Sequence, residues 1–149
     1  MLIETLTKIF KRDLNKLKSE IESYNKEENL WVNNEYVSNS GGNLCLHIIG
    51  NLNHFIGAEF GNTGYIRQRD LEFSQKNIPR TELINQIDEV ILVVTESLSK
   101  ISTTDLQKEY SRRVFEDTMT TEYFLVHLTA HLSYHLGQIN YHRRLFVPS

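Results

Sequence analysis

From Ile3 onward, apolar residues return at every third or fourth position, at Ile3, Leu6, Phe10, Leu14, Leu17, Ile21 and Tyr24, with charged residues filling the intervals. This period puts the apolar side chains on one stripe of a 3.6-residue helix and predicts an amphipathic first helix over residues 3–24. The period then lapses. Residues 25–40 are rich in Asn and end at Ser40-Gly41-Gly42, a cluster that predicts a connection rather than a helix. Residues 44–60 carry few charges and lie between Gly41-Gly42 and the later Gly61 and Gly64, which predicts a short, largely buried second helix. Residues 61–79 hold the charged run Arg67-Gln68-Arg69-Asp70-Leu71-Glu72-Phe73 and have no period of their own; a loop of that length is uncommon unless it is functional.

Pro79 suits a first helical turn, and beyond it Ile84, Ile87, Ile91, Val94, Leu98 and Ile101 form a third stripe. After a polar connection, residues 118–144 predict a fourth helix, with Thr118 or Thr120 as N-cap and Arg143 and Arg144 at the negative end of its dipole. The only prolines are Pro79 and Pro148, so no helix is interrupted by one. Four long helices with one long crossover predict an all-α four-helix bundle.

Composition narrows the partners. The chain has 149 residues, 40% apolar and 23% charged, which fits one globular domain over residues 1–149. A net charge of -3 lacks the positive field that nucleic-acid binding requires. Cys45 is the single cysteine and has no partner for an internal disulfide, so the cytoplasm is the expected compartment. The N-terminus has no basic segment leading into an apolar one, and no apolar run approaches the roughly 18 residues of a membrane span. Neither secretion nor membrane association is expected.

All six histidines fall in two of the four predicted helices, His47 and His54 in the second and His127, His131, His135 and His142 in the fourth. At about 100° per residue, the four in the last helix and Gln138 share an arc of about 80°. His47 and His54 also share a face, with Asn51 between them. A histidine pair at i and i+4 can direct two ring nitrogens to one metal at about 2.0–2.1 Å, and a third imidazole from a neighbouring helix completes a three-ligand site open to water or substrate. Neutral imidazoles without thiolates suit Zn, Ni, Cu or ferrous Fe. Spacing alone leaves His47 and His54 both eligible as the third ligand.

The run His131-Leu132-Ser133-Tyr134-His135-Leu136-Gly137-Gln138-Ile139 resembles the terminal-helix signature of the DinB/YfiT-like superfamily, and His47-Ile48-Ile49-Gly50-Asn51-Leu52 is similar to its second-helix motif. With Arg69-Asp70-Leu71-Glu72-Phe73, these blocks most closely resemble the DUF1572 subgroup. The resemblance implies a metal-binding four-helix bundle, commonly a homodimer, whose ligands are His47, His131 and His135, with zinc or nickel foremost and iron also suited. Some superfamily members are transferases or isomerases that use mycothiol, bacillithiol or glutathione, so a low-molecular-weight thiol and a small-molecule substrate are implied as well. The chain departs from the superfamily pattern at Tyr134 and Leu136, where many members have His and Arg.

Several neighbours have a chemical reading beside a plainer one. His54 is then a pocket or packing residue, His127 a hydrogen-bonded flank, and His142 a cation at the helix end. Asn51 and Gln138 either orient a ligand's second nitrogen or bridge helices as buried amides. Arg67, Arg69, Asp70 and Glu72 either form a solvated, ion-paired loop or close over the pocket, with Arg69 on an anionic group of substrate and Glu72 as a base. Gly50 and Gly137 are expected to permit close helix packing, Cys45 to be a small buried apolar residue, and Trp31 to cover a bundle end. The leading functional expectation is a metalloenzyme that activates a thiol or water. Hydrolysis of a small ester or amide, and a non-catalytic metal- or ligand-binding protein of stress response, are the alternatives.

Overall fold

The computed structural model describes residues 1–146. Six α-helices follow in order: α1 (Leu2–Glu22), α2 (Gly41–Leu52), α3 (Arg69–Ser74), α4 (Arg80–Ser99), α5 (Thr103–Gln107) and α6 (Thr121–Arg144). A 3-10 turn at Glu27–Trp31 precedes α2, and a π-helix at Asn53–Ala58 continues it. Among the described residues there is no strand, only the isolated bridges Asn34 to Val37 and Glu109 to Thr120. Nor is any described helix long and apolar enough to cross a membrane. Pro148 lies outside the described residues.

The four long helices pack as a bundle in which α1 lies against α4 and α6, and α2 lies against α6, α4 and α3. α1 keeps the predicted stripe, burying Leu6, Phe10, Leu14, Leu17 and Ile21. In α4 the buried line is Leu83, Ile87, Val90, Val94 and Leu98, so Ile84 and Ile91 flank the seam they were expected to fill. Ile101 lies past the end of α4 but is still buried. α6 is capped by Thr120, whose Oγ1 accepts from the Tyr123 N–H at 3.1 Å; Thr118 has no part in the cap.

The start of α2 corrects the sequence reading. Ser40 is its N-cap, accepting from the Asn43 N–H at 3.2 Å, so Gly41 and Gly42 open the helix instead of preceding it. A Cβ on Gly42 would lie 2.7 Å from the Trp31 indole, and one on Gly41 would lie 1.9 Å from the Tyr24 hydroxyl. Two glycines there let α2 press into the bundle, with Trp31 packed on its first turn. All twelve residues of α2 are buried, which explains the near absence of charge.

His142 is also placed differently from the sequence expectation. It is 4% exposed; its Nε2–H donates to the Val32 carbonyl at 2.8 Å, and its Nδ1 accepts from the Tyr24 hydroxyl at 2.7 Å. Burial lowers its pKa, so this imidazole is neutral and fastens α6 to the segment before α2. It is not the dipole-facing cation that its position near the helix end suggested.

Candidate metal centre

α2 and α6 face each other across the bundle and bring His47, His131 and His135 together. His131 Nε2 lies 3.2 Å from His47 Nε2 and 3.1 Å from His135 Nε2, and the three candidate donor atoms all fall within 4.8 Å of one another. Two nitrogens held about 2.0–2.1 Å from one ion at a near-tetrahedral angle end about 3.3 Å apart, so the donor spacing suits a shared divalent cation.

The outer nitrogens determine which atoms face inward. Glu72 Oε1 accepts from His47 Nδ1 at 3.0 Å, and Gln138 Oε1 accepts from His135 Nδ1 at 2.7 Å. A carboxylate and an amide oxygen can only accept, so each ring carries a proton on Nδ1 and turns Nε2 toward the cluster. Burial, and then the neighbouring His135 and His47, lower the His131 pKa to about 3. For His135 burial lowers the pKa and outweighs the opposing bond to Gln138. Both rings are therefore neutral near pH 7, the state a metal ligand needs.

Glu72 reaches this position because Gly50 has no side chain: a Cβ there would stand 1.9 Å from Glu72 Oε2. The glycine was expected to bring two helices close, and what it admits is a carboxylate. Arg67 clamps Glu72 in two places, from Nε and Nη2 at 2.9 Å each. Burial alone would raise the Glu72 pKa, but hydrogen bonds from His47 and Arg67 and the Arg67 charge hold it below the usual value. Glu72 is thus an anion paired with Arg67 and hydrogen-bonded to His47. The backbone of α3 is tied down by Asn43, whose side-chain amide donates to the Glu72 and Gln75 carbonyls at 3.0 and 2.8 Å. Phe73 closes one side of the His47 ring, with centroids 4.9 Å apart.

The remaining candidates lie around this centre. Arg69 is exposed and stacks over Phe73, so Arg67 occupies the interior position that the charge run offered. Asn51 is buried one turn beyond His47, and its Oδ1 has no hydrogen-bond partner among the described residues. His54 sits in the π-helix against Phe55, outside the three-histidine group. His127 packs between Phe115 and Phe124 and makes no hydrogen bond among the described residues, so its flank is aromatic instead of polar. Cys45 is fully buried and burial raises its pKa. Gly137 is exposed with nothing within 4 Å of a notional Cβ, so close packing does not explain it. Asn43 had no sequence signal, because its partners Glu72 and Gln75 lie 29 or more residues away along the chain, and Phe73 stood in a motif block without a role being assigned to it.

Fold and site together define an all-helical bundle protein with a tri-histidine cluster, His47 buried and His131 and His135 half-buried, between its second and last long helices. The chain belongs to DUF1572, a family described as proteins of unknown function, whose profile matches residues 2–147. Comparison with curated proteins and with solved structures gave no match.

Proposed function

We propose that the protein is a divalent-metal-dependent enzyme of the DinB/YfiT-like superfamily, with His47, His131 and His135 as ligands and a low-molecular-weight thiol as co-substrate. The observation that carries this reading is the convergence of three imidazoles, with His131 Nε2 lying 3.2 Å from His47 Nε2 and 3.1 Å from His135 Nε2. A divalent ion held there supplies Lewis acidity and lowers the pKa of a thiol or water. The chain supplies the rest. Glu72 and Gln138 hold the His47 and His135 protons on Nδ1. Phe73 shields the His47 ring, and Arg67 keeps the Glu72 charge paired. Cys45 is buried with a raised pKa, so an exogenous sulfur is the better nucleophile.

The same reading includes a cytoplasmic, single-domain homodimer; these three features follow from the family resemblance and composition. The test is metal analysis of untagged protein purified with and without added zinc or nickel. About one ion per chain is expected, lost in His47→Ala and in the His131→Ala, His135→Ala double variant and kept in His54→Ala. Full retention in the double variant would refute the site. Incubating the loaded protein with electrophiles and esters, with and without glutathione, bacillithiol or mycothiol, separates transfer from hydrolysis: acid formation that ignores every thiol would favour the hydrolase alternative.

A further inference from the structure

His135 belongs to two neighbourhoods. One is the histidine cluster. The other is a groove of about 580 Å³ that follows α6 from His135 toward Leu145 and is walled by residues 36–39 of the segment before α2. That volume falls within the ~300–1,000 Å³ typical of small-molecule sites. Leu44, 4% exposed, lies at its base, and Val37 and Leu145 add apolar surface. Around the opening stand Tyr36, Tyr134 and Tyr141, exposed by 86%, 66% and 71%. Tyrosine offers a wide, rigid apolar face at small entropic cost together with one polar tip, a combination suited to planar ligands.

The groove is electrically neutral. Among the described residues, no Lys, Arg, Asp or Glu lines it. Of its two imidazoles, His142 has both nitrogens committed to Val32 and Tyr24, and His135 donates from Nδ1 to Gln138. Two cations at the end of the same helix have partners outside the lining's interior: Arg144 stacks on Tyr141 at the opening, and Arg143 pairs with Glu20. In the metal-free chain, a charged ligand entering the groove would leave water with no charged side chain in the lining to pair with, a penalty no aromatic face here offsets. An uncharged ring would gain apolar contact, with Ser38, Asn39 and Gln138 available for polar atoms at its edge.

We infer that this groove binds an uncharged aromatic small molecule and holds it beside His135, as the acceptor substrate of the reaction proposed above. The substrate role rests on that metal-dependent reading; binding in the groove does not. Gln138 couples the two sites, since it lines the groove and also accepts from His135.

The test is an amide chemical-shift titration of the full chain with methyl 4-nitrobenzoate and with 4-nitrobenzoate, each on zinc-free and on zinc-treated protein. The ester is expected to give saturable shifts confined to residues 36–39 and 134–145. On zinc-free protein the acid should bind about tenfold more weakly or worse, because its charge is desolvated without a partner. The Tyr134→Ala, Tyr141→Ala double variant should weaken the ester about tenfold, whereas Tyr123→Ala, on α6 but outside the groove, should not change it. Both groove tyrosines are exposed, and circular dichroism checks that the double variant stays folded. Equal binding of acid and ester on zinc-free protein, or unchanged ester binding by the double variant, would overturn the inference. So would a dimer that excludes the ester and that the double variant dissociates, for the groove would then be an interface between copies of the chain. Ester binding without any zinc site would remove the metal reading and leave the groove standing; zinc binding without ester binding would do the reverse.

Discussion

Gly50→Ala tests how the His47 side of the cluster is built. Within a helix, alanine in place of glycine ordinarily stabilises by about 1 kcal/mol. At this position a Cβ would stand 1.9 Å from Glu72 Oε2 and 2.6 Å from its Cδ. The carboxylate has little room to withdraw, because Arg67 holds it by two bonds of 2.9 Å and His47 by one of 3.0 Å. At least one of those bonds must break. Removing one partner of a buried ion pair costs about 3–5 kcal/mol, and displacing Glu72 without deleting it should cost about half of that. Set against the helical gain of about 1 kcal/mol, the net loss should be about 0.5–1.5 kcal/mol, or roughly 1–6 °C in Tm for a chain of this length. Urea denaturation of metal-free protein, followed by circular dichroism, should be run on Gly50→Ala, Glu72→Ala and the double variant. With the Glu72 side chain gone, the added methyl meets no obstacle, and Gly50→Ala should become stabilising by up to ~1 kcal/mol. The change of sign is the diagnostic result. Equal destabilisation in both backgrounds would show that Gly50 is not the seat of the carboxylate, and the account of His47 orientation would fail with it.

Arg67→Ala should destabilise the metal-free protein by about 2 kcal/mol or more in the same denaturation assay, since it strands a buried carboxylate, while Arg69→Ala should stay within about 0.5 kcal/mol. Gln138→Ala, at an exposed position, should leave stability nearly unchanged yet lower zinc affinity about tenfold, measured by competition with a chromogenic chelator. The stability of the metal-free chain should fall as pH drops from about 7 toward 5. His142 has a lowered pKa when folded, so the unfolded chain takes up a proton below about 6.5 that the folded chain refuses; the slope from one such group reaches about 1.4 kcal/mol per pH unit. His142→Gln should reduce that dependence in urea titrations at several pH values, leaving the share that His131 and His135 contribute, and a slope as steep as the parent's would count against the assignment.

The parts of the structure that depend on local spacing were legible in the sequence. The α1 stripe, the long α4 and α6, and the placement of His131 and His135 on one face all follow from a 3.6-residue period. Motif resemblance singled out His47 over His54, and the structure brings His47 to the cluster while His54 packs against Phe55. What period could not supply was the company each residue keeps across helices. Gly50 and Gly137 look alike in sequence, but one makes room for Glu72 and the other faces open space. Arg67 and Arg69 are two residues apart, and the fold of α3 against α2 turns the first inward and the second onto Phe73. His142 shows the same gap: its position along α6 suggested a cation, but Tyr24 and Val32 from earlier in the chain make it a buried neutral bridge.

The π-helix after α2 bears on how this fold accommodates changes in chain length. A π turn holds one residue more than an α turn. Deleting a residue within Gly41–Leu52 would rotate everything downstream by about 100° and swing Ile56 and Gly61 away from their contacts. Deleting one within Asn53–Ala58 lets the surplus turn relax to α geometry, so that Gly61 still meets Ser97 and His47 keeps its bearing. Natural one-residue gaps among homologues should therefore gather at this stretch, where the register of the helix carries slack that the histidine-bearing turns do not have.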